Sequence, residues 1–380
     1  MIRPDLADIP AYVPGKDRPG VLKLASNEMA HGPLPSVVDR IREVAAGANR
    51  YPDMGATGVR GALADYLGLD PAQVAVGTGS SALCQQLVLA TCADGDEVIF
   101  PWRSFEAYPI LARVAGAVPV AVPLAADHRH DFDAMAAAVT DRTRLIFVCN
   151  PNNPTGTIST AAELEAFLDR VPGDVVVALD EAYIEFVDGF DPADPSRTGL
   201  DTPNALEVIR RRPNVVGLRT FSKVWGLAGL RIGYMFGAED LVTAVNKVCI
   251  PFSVTAVSQA AAEACLEARA ELLERVAEVR AERVRVTDAI NAAAGEDIVV
   301  PGTQANFIWI PEDRVAPLAA RVPGAGGGAD SAGVAATVAG RGVIVRCFAG
   351  EGLRITVTDR AEGDRLLEAL GLAQDPRSRG

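Results

Sequence analysis

Between residues 74 and 180, short β-branched runs alternate with helical stretches. That alternation restricts the chain to a mostly parallel sheet with helices packed on both faces. The apolar runs fall at 74–76, 98–100, 118–122, 145–149 and 175–179, and the helical patterns between them at 81–92, 105–115, 132–139 and 161–171. Parallel neighbours need long crossover connections, and these helices supply them. Two further runs, at 215–220 and 231–236, bring the sheet to seven strands. The turn Gly226-Leu227-Ala228-Gly229 between them is short, which lets the last strand run antiparallel. An Ala/Glu/Arg-rich stretch over 256–293 reads as one or two helices forming a spine between domains. A smaller α+β unit follows, with strands at 307–310, 343–345 and 354–357 and a helix at 361–370. The expected organisation is an N-terminal arm with part of the small domain (1–45), a large domain (46–265) and a C-terminal small domain (266–380). Segments 189–203 and 323–333, the latter with a Gly-Ala-Gly-Gly-Gly run, read as mobile loops.

Charge narrows the partners. A net charge of -13 over 380 residues argues against nucleic acid or an anionic membrane, since both require a basic surface. No stretch approaches the ~20 apolar residues of a membrane span, so none is expected. The opening Met1-Ile2-Arg3-Pro4-Asp5-Leu6 lacks the apolar core of a secretory signal. Cysteines 84, 92, 149, 249, 265 and 347 form no C-x-x-C pair and read as small buried hydrophobes, which suits a reducing cytoplasm. With three histidines, His31, His128 and His130, no metal site is expected. Lysine is scarce too: only Lys16, Lys23, Lys223 and Lys247 are available for covalent amine chemistry.

Four motifs stand where strands end. Gly77-Thr78-Gly79-Ser80-Ser81-Ala82 joins a strand to a helix, and backbone N–H groups at a helix N-terminus form an anion site that glycine lets the anion approach. Its spacing also fits a dinucleotide fingerprint, but that fold needs an acid at the C-terminal end of the next strand. Here Asp96 and Glu97 precede the strand instead, so a phosphate cradle is the better reading; a plain turn is the alternative. Asn150-Pro151-Asn152-Asn153-Pro154-Thr155-Gly156 follows a strand directly, before a helix starting near Thr160. Asp180-Glu181-Ala182-Tyr183 places a carboxylate after an apolar run, where it needs a cationic partner such as a protonated pyridine nitrogen, or else caps a helix. Ser222-Lys223 has Arg231 eight positions later in Gly229-Leu230-Arg231-Ile232-Gly233, which sets an amine beside a phosphate site. Alone, Lys223 reads as a surface lysine.

In this order the four motifs resemble the class I/II, fold-type I pyridoxal-phosphate aminotransferases, within them the histidinol-phosphate aminotransferase group. Leu24-Ala25-Ser26-Asn27-Glu28, Asn49-Arg50-Tyr51-Pro52-Asp53, Gln304-Ala305-Asn306-Phe307 and Leu353-Arg354-Ile355-Thr356 extend the likeness over nearly the whole chain. Tyr12-Val13-Pro14-Gly15-Lys16 and Trp102-Arg103-Ser104-Phe105 resemble the actinobacterial aromatic amino-acid aminotransferases of that group.

The resemblance implies pyridoxal 5′-phosphate held by Lys223 as a Schiff base, with Lys223 then moving the proton at substrate Cα. It implies Asp180 on the pyridine nitrogen, Asn153 and Tyr183 on the 3-oxygen and Phe105 on the ring face. Gly79, Ser80, Ser81, Ser222 and Arg231 would hold the phosphate. Tyr51 would reach it from the other subunit of a homodimer with shared sites. Arg354 would clamp the substrate carboxylate, since a planar fork suits it better than an ammonium. Tyr12, Asn27 and Asn306 are candidates for the substrate side chain, and Arg346 for a distal phosphate.

Asn27-Glu28-Met29-Ala30-His31-Gly32-Pro33 departs from the Asn-Glu-Asn-Pro-(Tyr/Phe)-Gly-Pro form of histidinol-phosphate enzymes. So does Trp102-Arg103-Ser104, where those enzymes carry Pro-Thr. Both departures imply an aromatic amino acid exchanging its amino group with a 2-oxo acid such as 2-oxoglutarate, with histidinol phosphate as the alternative substrate. A lyase or decarboxylase, a dehydrogenase and a non-enzymatic sensor on the same fold are the remaining rivals.

Overall fold

The computed structural model describes Ile9, residues 19–322 and residues 330–372. Most of the glycine-rich stretch 323–333 and the candidates Tyr12 and Lys16 lie outside the described residues. The strands are β1 (Leu22–Leu24), β2 (Val74–Gly77), β3 (Glu97–Trp102), β4 (Val118–Pro123), β5 (Thr143–Cys149), β6 (Val176–Asp180), β7 (Val215–Thr220), β8 (Gly233–Gly237), β9 (Phe307–Pro311), β10 (Val343–Phe348) and β11 (Gly352–Thr356). Described residues divide into two compact units, one built from His31–Asn153 and Ile158–Leu273, the other from 19–30, Pro154–Thr157 and the residues after 273.

The first unit holds a seven-stranded sheet in the order β2-β8-β7-β6-β5-β3-β4. Every pairing is parallel except those of β8, which runs antiparallel to β2 and to β7. This is the mostly parallel sheet the strand–helix alternation predicts, in the arrangement the resemblance implies. All residues of β6 and β7 are buried, and all but one of β5. That explains why these segments read as continuous β-branched runs rather than alternating ones: helices cover both faces. One side of the core joins Leu83 and Leu87 of helix Ser80–Thr91 to Ala75, Val98, Phe147 and Leu218 of the sheet.

Two local readings change, and one is made definite. The run at 231–236 starts later, at Gly233, because Arg231 takes a left-handed backbone (φ 50°) that no strand accommodates. Residues 256–293 form two helices, Ala256–Glu267 and Leu272–Ala294, with a 3₁₀ turn between. The 189–203 segment is irregular but fastened: Asn150 Nδ2 donates to Thr202 Oγ1 (2.9 Å) and Asn204 Nδ2 to Pro195 O (2.9 Å), while Phe190 is buried. Thr160 caps helix Ala161–Leu168 and forms a reciprocal box with Glu163, as a helix starting there requires.

The second unit is a four-stranded sheet, β1-β10-β11-β9. Only the β1–β10 pair is parallel. Val286 and Ile290 of helix Leu272–Ala294, Ile308, Ile355 and Leu366 share its core. Strand β1 has three residues, too few to show a periodicity in sequence.

Candidate active site

Parallel strands present their carboxyl ends on one edge of a sheet, and in open α/β sheets that edge is where ligands bind. β3, β5, β6 and β7 end there at Trp102, Cys149, Asp180 and Thr220. β2 joins them, because Gly77 and Thr220 both pair with Gly233 at the start of β8. The segments leaving this edge are the four motifs singled out in sequence. They enclose a cavity of about 400 Å³ lined by Ser80, Ser81, Phe105, Asn153, Asp180, Tyr183, Ser222, Lys223 and Arg231. That volume suits a small cofactor or metabolite.

One corner gathers donors of the kind that suit an anion. Gly79 (φ 80°) caps the twelve-residue helix Ser80–Thr91, so the free N–H groups of the first turn face the cavity end. A Cβ on Gly79 would run into the Arg231 guanidinium, and one on Gly233 would meet the Ser80 backbone nitrogen. Both glycines are therefore required for the approach of loop, strand and arginine. Arg231 Nη1 donates to Ser222 Oγ (3.1 Å) and its Nη2 lies 3.4 Å from Ser81 Oγ. Thr220 Oγ1 donates to Ser222 Oγ (3.0 Å) and accepts from Ser222 N (3.1 Å), which orients that hydroxyl.

At the other end Asp180 is 3% exposed. Tyr108 Oη donates to its Oδ2 (2.7 Å), and Ala182 N–H reaches its Oδ1 (3.3 Å). Asp180 caps no helix: the next turn, Ile184–Phe186, starts from Tyr183 without a side-chain cap. Burial pushes the Asp180 carboxyl above the usual range, while the Tyr108 and Ala182 hydrogen bonds and the Lys223 charge oppose it. Lys223 Nζ lies 5.5 Å from the Tyr183 ring centroid. Lys23 pairs with Glu28 (2.8 Å) and Lys247 ends helix Glu239–Lys247, so Lys223 is the cavity's lysine among those described. Phe105 meets Tyr108 edge to face at 5.5 Å.

Glu97 opens β3 at the opposite edge of the sheet, bonded to Thr140 Oγ1 (2.5 Å) and Arg142 (2.7 Å). It cannot serve the ribose of a dinucleotide, which removes that reading of the Gly77–Ala82 turn.

Other candidates lie elsewhere. Tyr51 is 83% exposed and packs at a tilt against Phe252, 4.8 Å between ring centroids. In the second unit Arg346 and Arg354 are paired across β10 and β11. Arg354 is buried, donates to Ala25 O (2.6 Å) and stands over Phe307. Asn27, Asn306 and Thr356 are bonded together: Asn27 N–H and Oδ1 both meet Thr356 Oγ1 at 3.0 Å, and Asn306 Nδ2 donates to Asn27 O (3.2 Å). Sequence reasoning missed Tyr108, Cys149 and Thr220 as parts of the site. The signal for Tyr108 was its spacing from Phe105: the turn closed by Tyr108 N–H to Phe105 O (3.1 Å) puts both rings on one side.

A profile of the family described as aminotransferase class I and II matches residues 19–370. The chain belongs to this family. It is a pyridoxal-phosphate-dependent transaminase. An aromatic amino acid aminotransferase of Corynebacterium efficiens is 56% identical over 97% of this chain and 98% of its own. One from Rhodococcus jostii is 55% identical over 99% and 96%. Among solved structures, histidinol-phosphate aminotransferase from Sinorhizobium meliloti, in complex with pyridoxal-5′-phosphate, aligns with a TM-score of 0.77 at 29% identity, covering 92% of this transaminase and 89% of that chain. No helix among the described residues of the transaminase is long and apolar enough to cross a membrane.

Proposed function

We propose that this transaminase exchanges the amino group of an aromatic amino acid (phenylalanine, tyrosine or tryptophan) with a 2-oxo acid such as 2-oxoglutarate. The observation that carries the substrate class is the near full-length identity, 51–56%, to relatives named aromatic amino acid aminotransferases. The departures at 27–33 and 102–104 agree with it.

The cavity fits pyridoxal phosphate part by part. The Gly79 approach to Arg231, which any Cβ would block, supports this: donors of Ser80, Ser81, Ser222 and Arg231 would surround the phosphate. Asp180 would hold the proton on the ring nitrogen, Asn153 and Tyr183 would donate to the 3-oxygen, and Phe105 would cover the ring. When bound, the cofactor supplies an electron-withdrawing ring that accepts the electron pair released at the substrate Cα. Lys223 would hold the cofactor covalently until substrate arrives, then take the proton from Cα. Arg354 would hold the substrate carboxylate by a two-pronged contact. Asn27 and Asn306, each bonded within the Thr356 cluster, would shape the recognition surface rather than reach far from it.

Histidinol phosphate is the second reading, favoured by the structural likeness to an enzyme of that name and by Arg346 beside Arg354. One experiment separates them. The cofactor-loaded protein, mixed with phenylalanine, tyrosine, tryptophan or histidinol phosphate, should lose its visible absorbance with at least one aromatic amino acid. Its kcat/KM there should exceed that for histidinol phosphate by about 100-fold, the discrimination a pocket lacking a matched polar partner sustains. A preference for histidinol phosphate would reverse the assignment.

The same reading includes a homodimer in which Tyr51 serves the partner's phosphate site. Its support is the exposed apolar surface around it: Tyr51, Met54 at 58%, Ile250 at 74% and Phe252 at 41% exposed. Tyr51→Phe and Lys223→Ala proteins, each inactive alone, should regain about a quarter of wild-type activity when subunits are exchanged at equal amounts, since half the dimers then carry one intact site. Activity no higher than the sum of the two parents would remove the shared site.

A further inference from the structure

The Tyr108 ring is clamped from three sides. It stacks on Phe147 of β5 (4.4 Å between centroids, 8° between planes), edges against Phe105 (5.5 Å) and packs on Phe100 (6.1 Å). It is fully buried. A phenylalanine would fill this space equally well, and a hydroxyl in an apolar enclosure is costly unless bonded. That hydroxyl reaches Asp180 Oδ2 at 2.7 Å, the length of a hydrogen bond to an ionised oxygen.

We propose that Tyr108 is a positioning residue for transamination: its hydroxyl fixes the Asp180 carboxylate in its charged form and turns it toward the cofactor's ring nitrogen. This rests on the reading that Asp180 holds the ring-nitrogen proton. A buried aspartate left alone takes up a proton, and a neutral carboxyl no longer attracts a protonated pyridine. The groups facing Asp180 are Tyr108, Glu181, Lys223, Cys84 and Cys149. Burial pushes the Cys149 thiol up to about 12 and Cys84 upward too, so both are neutral and donate no countercharge. Glu181 is held by Arg219 (2.8 Å). Lys223 is committed to the cofactor and substrate in turn. Besides the longer Ala182 N–H contact to Oδ1 (3.3 Å), Tyr108 is the side-chain donor left to Asp180 through the cycle, because burial and the neighbouring carboxylate hold its hydroxyl protonated far above neutral pH.

The test uses Tyr108→Phe, which keeps the ring and removes one oxygen. Wild type and variant are stripped of cofactor and titrated with pyridoxal phosphate and with its analogue in which the ring nitrogen is replaced by C–H. The variant should bind pyridoxal phosphate about tenfold more weakly, as loss of a hydrogen bond to a charged group predicts, and the analogue within about twofold of wild type. On the acid side, pyridoxal phosphate binding by the variant should fail at a higher pH than in wild type. Equal weakening toward both ligands would reduce Tyr108 to a packing role, and no weakening toward either would remove the role. Asp180→Asn tests the underlying reading separately. It should erase the preference for pyridoxal phosphate over the analogue, and an unchanged preference would overturn the ring-nitrogen assignment itself.

Discussion

Lys223→Ala should leave a folded protein that still takes up pyridoxal phosphate but turns substrate over about 10⁴-fold more slowly, the upper range for a positioned proton-transfer group. The lysine follows the end of β7 and lines a cavity whose other polar groups would serve separate parts of the cofactor. Removing it leaves the Arg231, Ser222 and Ser81 corner intact, so the phosphate still has its donors. It leaves Asp180 with Tyr108 as well. What disappears is the amine that meets substrate Cα. Two readouts isolate that loss. The variant's visible absorbance should lack the contribution of an amine-linked cofactor until an amino acid is added. A small soluble amine should then restore part of the rate in proportion to its concentration, as an external base would. Turnover retained without rescue would move the covalent amine to another lysine. Lys23 is already paired with Glu28, and Lys247 ends a helix outside the cavity.

Much of this site was legible because the chemistry sits where strands end. A β-branched run followed by Gly-x-Gly, Asn-Pro, Asp or Ser-Lys is visible in one dimension, and the parallel topology carries all four ends to one edge. The anion corner was legible for the same reason, down to Arg231. Its backbone was not: a left-handed arginine reads as strand in an Arg-Ile-Gly-Tyr-Met-Phe run, because nothing local marks it. Tyr108 was hidden by its company. Trp102, Phe105 and Tyr108 within seven residues look like core, and only the fold shows which hydroxyl meets a carboxylate. Asn27 and Asn306 show the converse. Their motifs attract attention in sequence, yet 279 residues separate the two groups that bond to each other, and no local pattern reveals such a pairing.

The ion pair behind the site was also hidden, and it governs the second large effect. Arg219→Met should cost about 3–5 kcal/mol of stability, read as a fall in the denaturant midpoint at unchanged protein concentration. Arg219 lies mid-sheet in β7, fully buried. Its Nε donates to Glu181 Oε2 (2.8 Å) and its Nη2 to Asn204 Oδ1 (3.1 Å), while Ala205 N–H holds Glu181 Oε1 (2.7 Å). Neither charge reaches water, so deleting one strands the other, which is the costly case. Arg219→Lys should recover little, because a point charge cannot serve two acceptors set for a planar fork. Arg219→Met combined with Glu181→Gln should recover most of the loss, because the stranded charge is removed too. A second carboxylate makes the effect depend on pH. Burial pushes Glu185 up to about 7 even with Arg219 opposing the shift. Its folded-state value lies above the unfolded one, so its contribution is complete in acid and is lost as pH rises through about 7. Without Arg219 that value climbs further, and the deficit of Arg219→Met should be smaller at pH ~5.5 than at pH ~8.5. A deficit independent of pH would separate Glu185 from the arginine. A single substitution neutral to within about 1 kcal/mol would show that the pair is replaceable by packing alone.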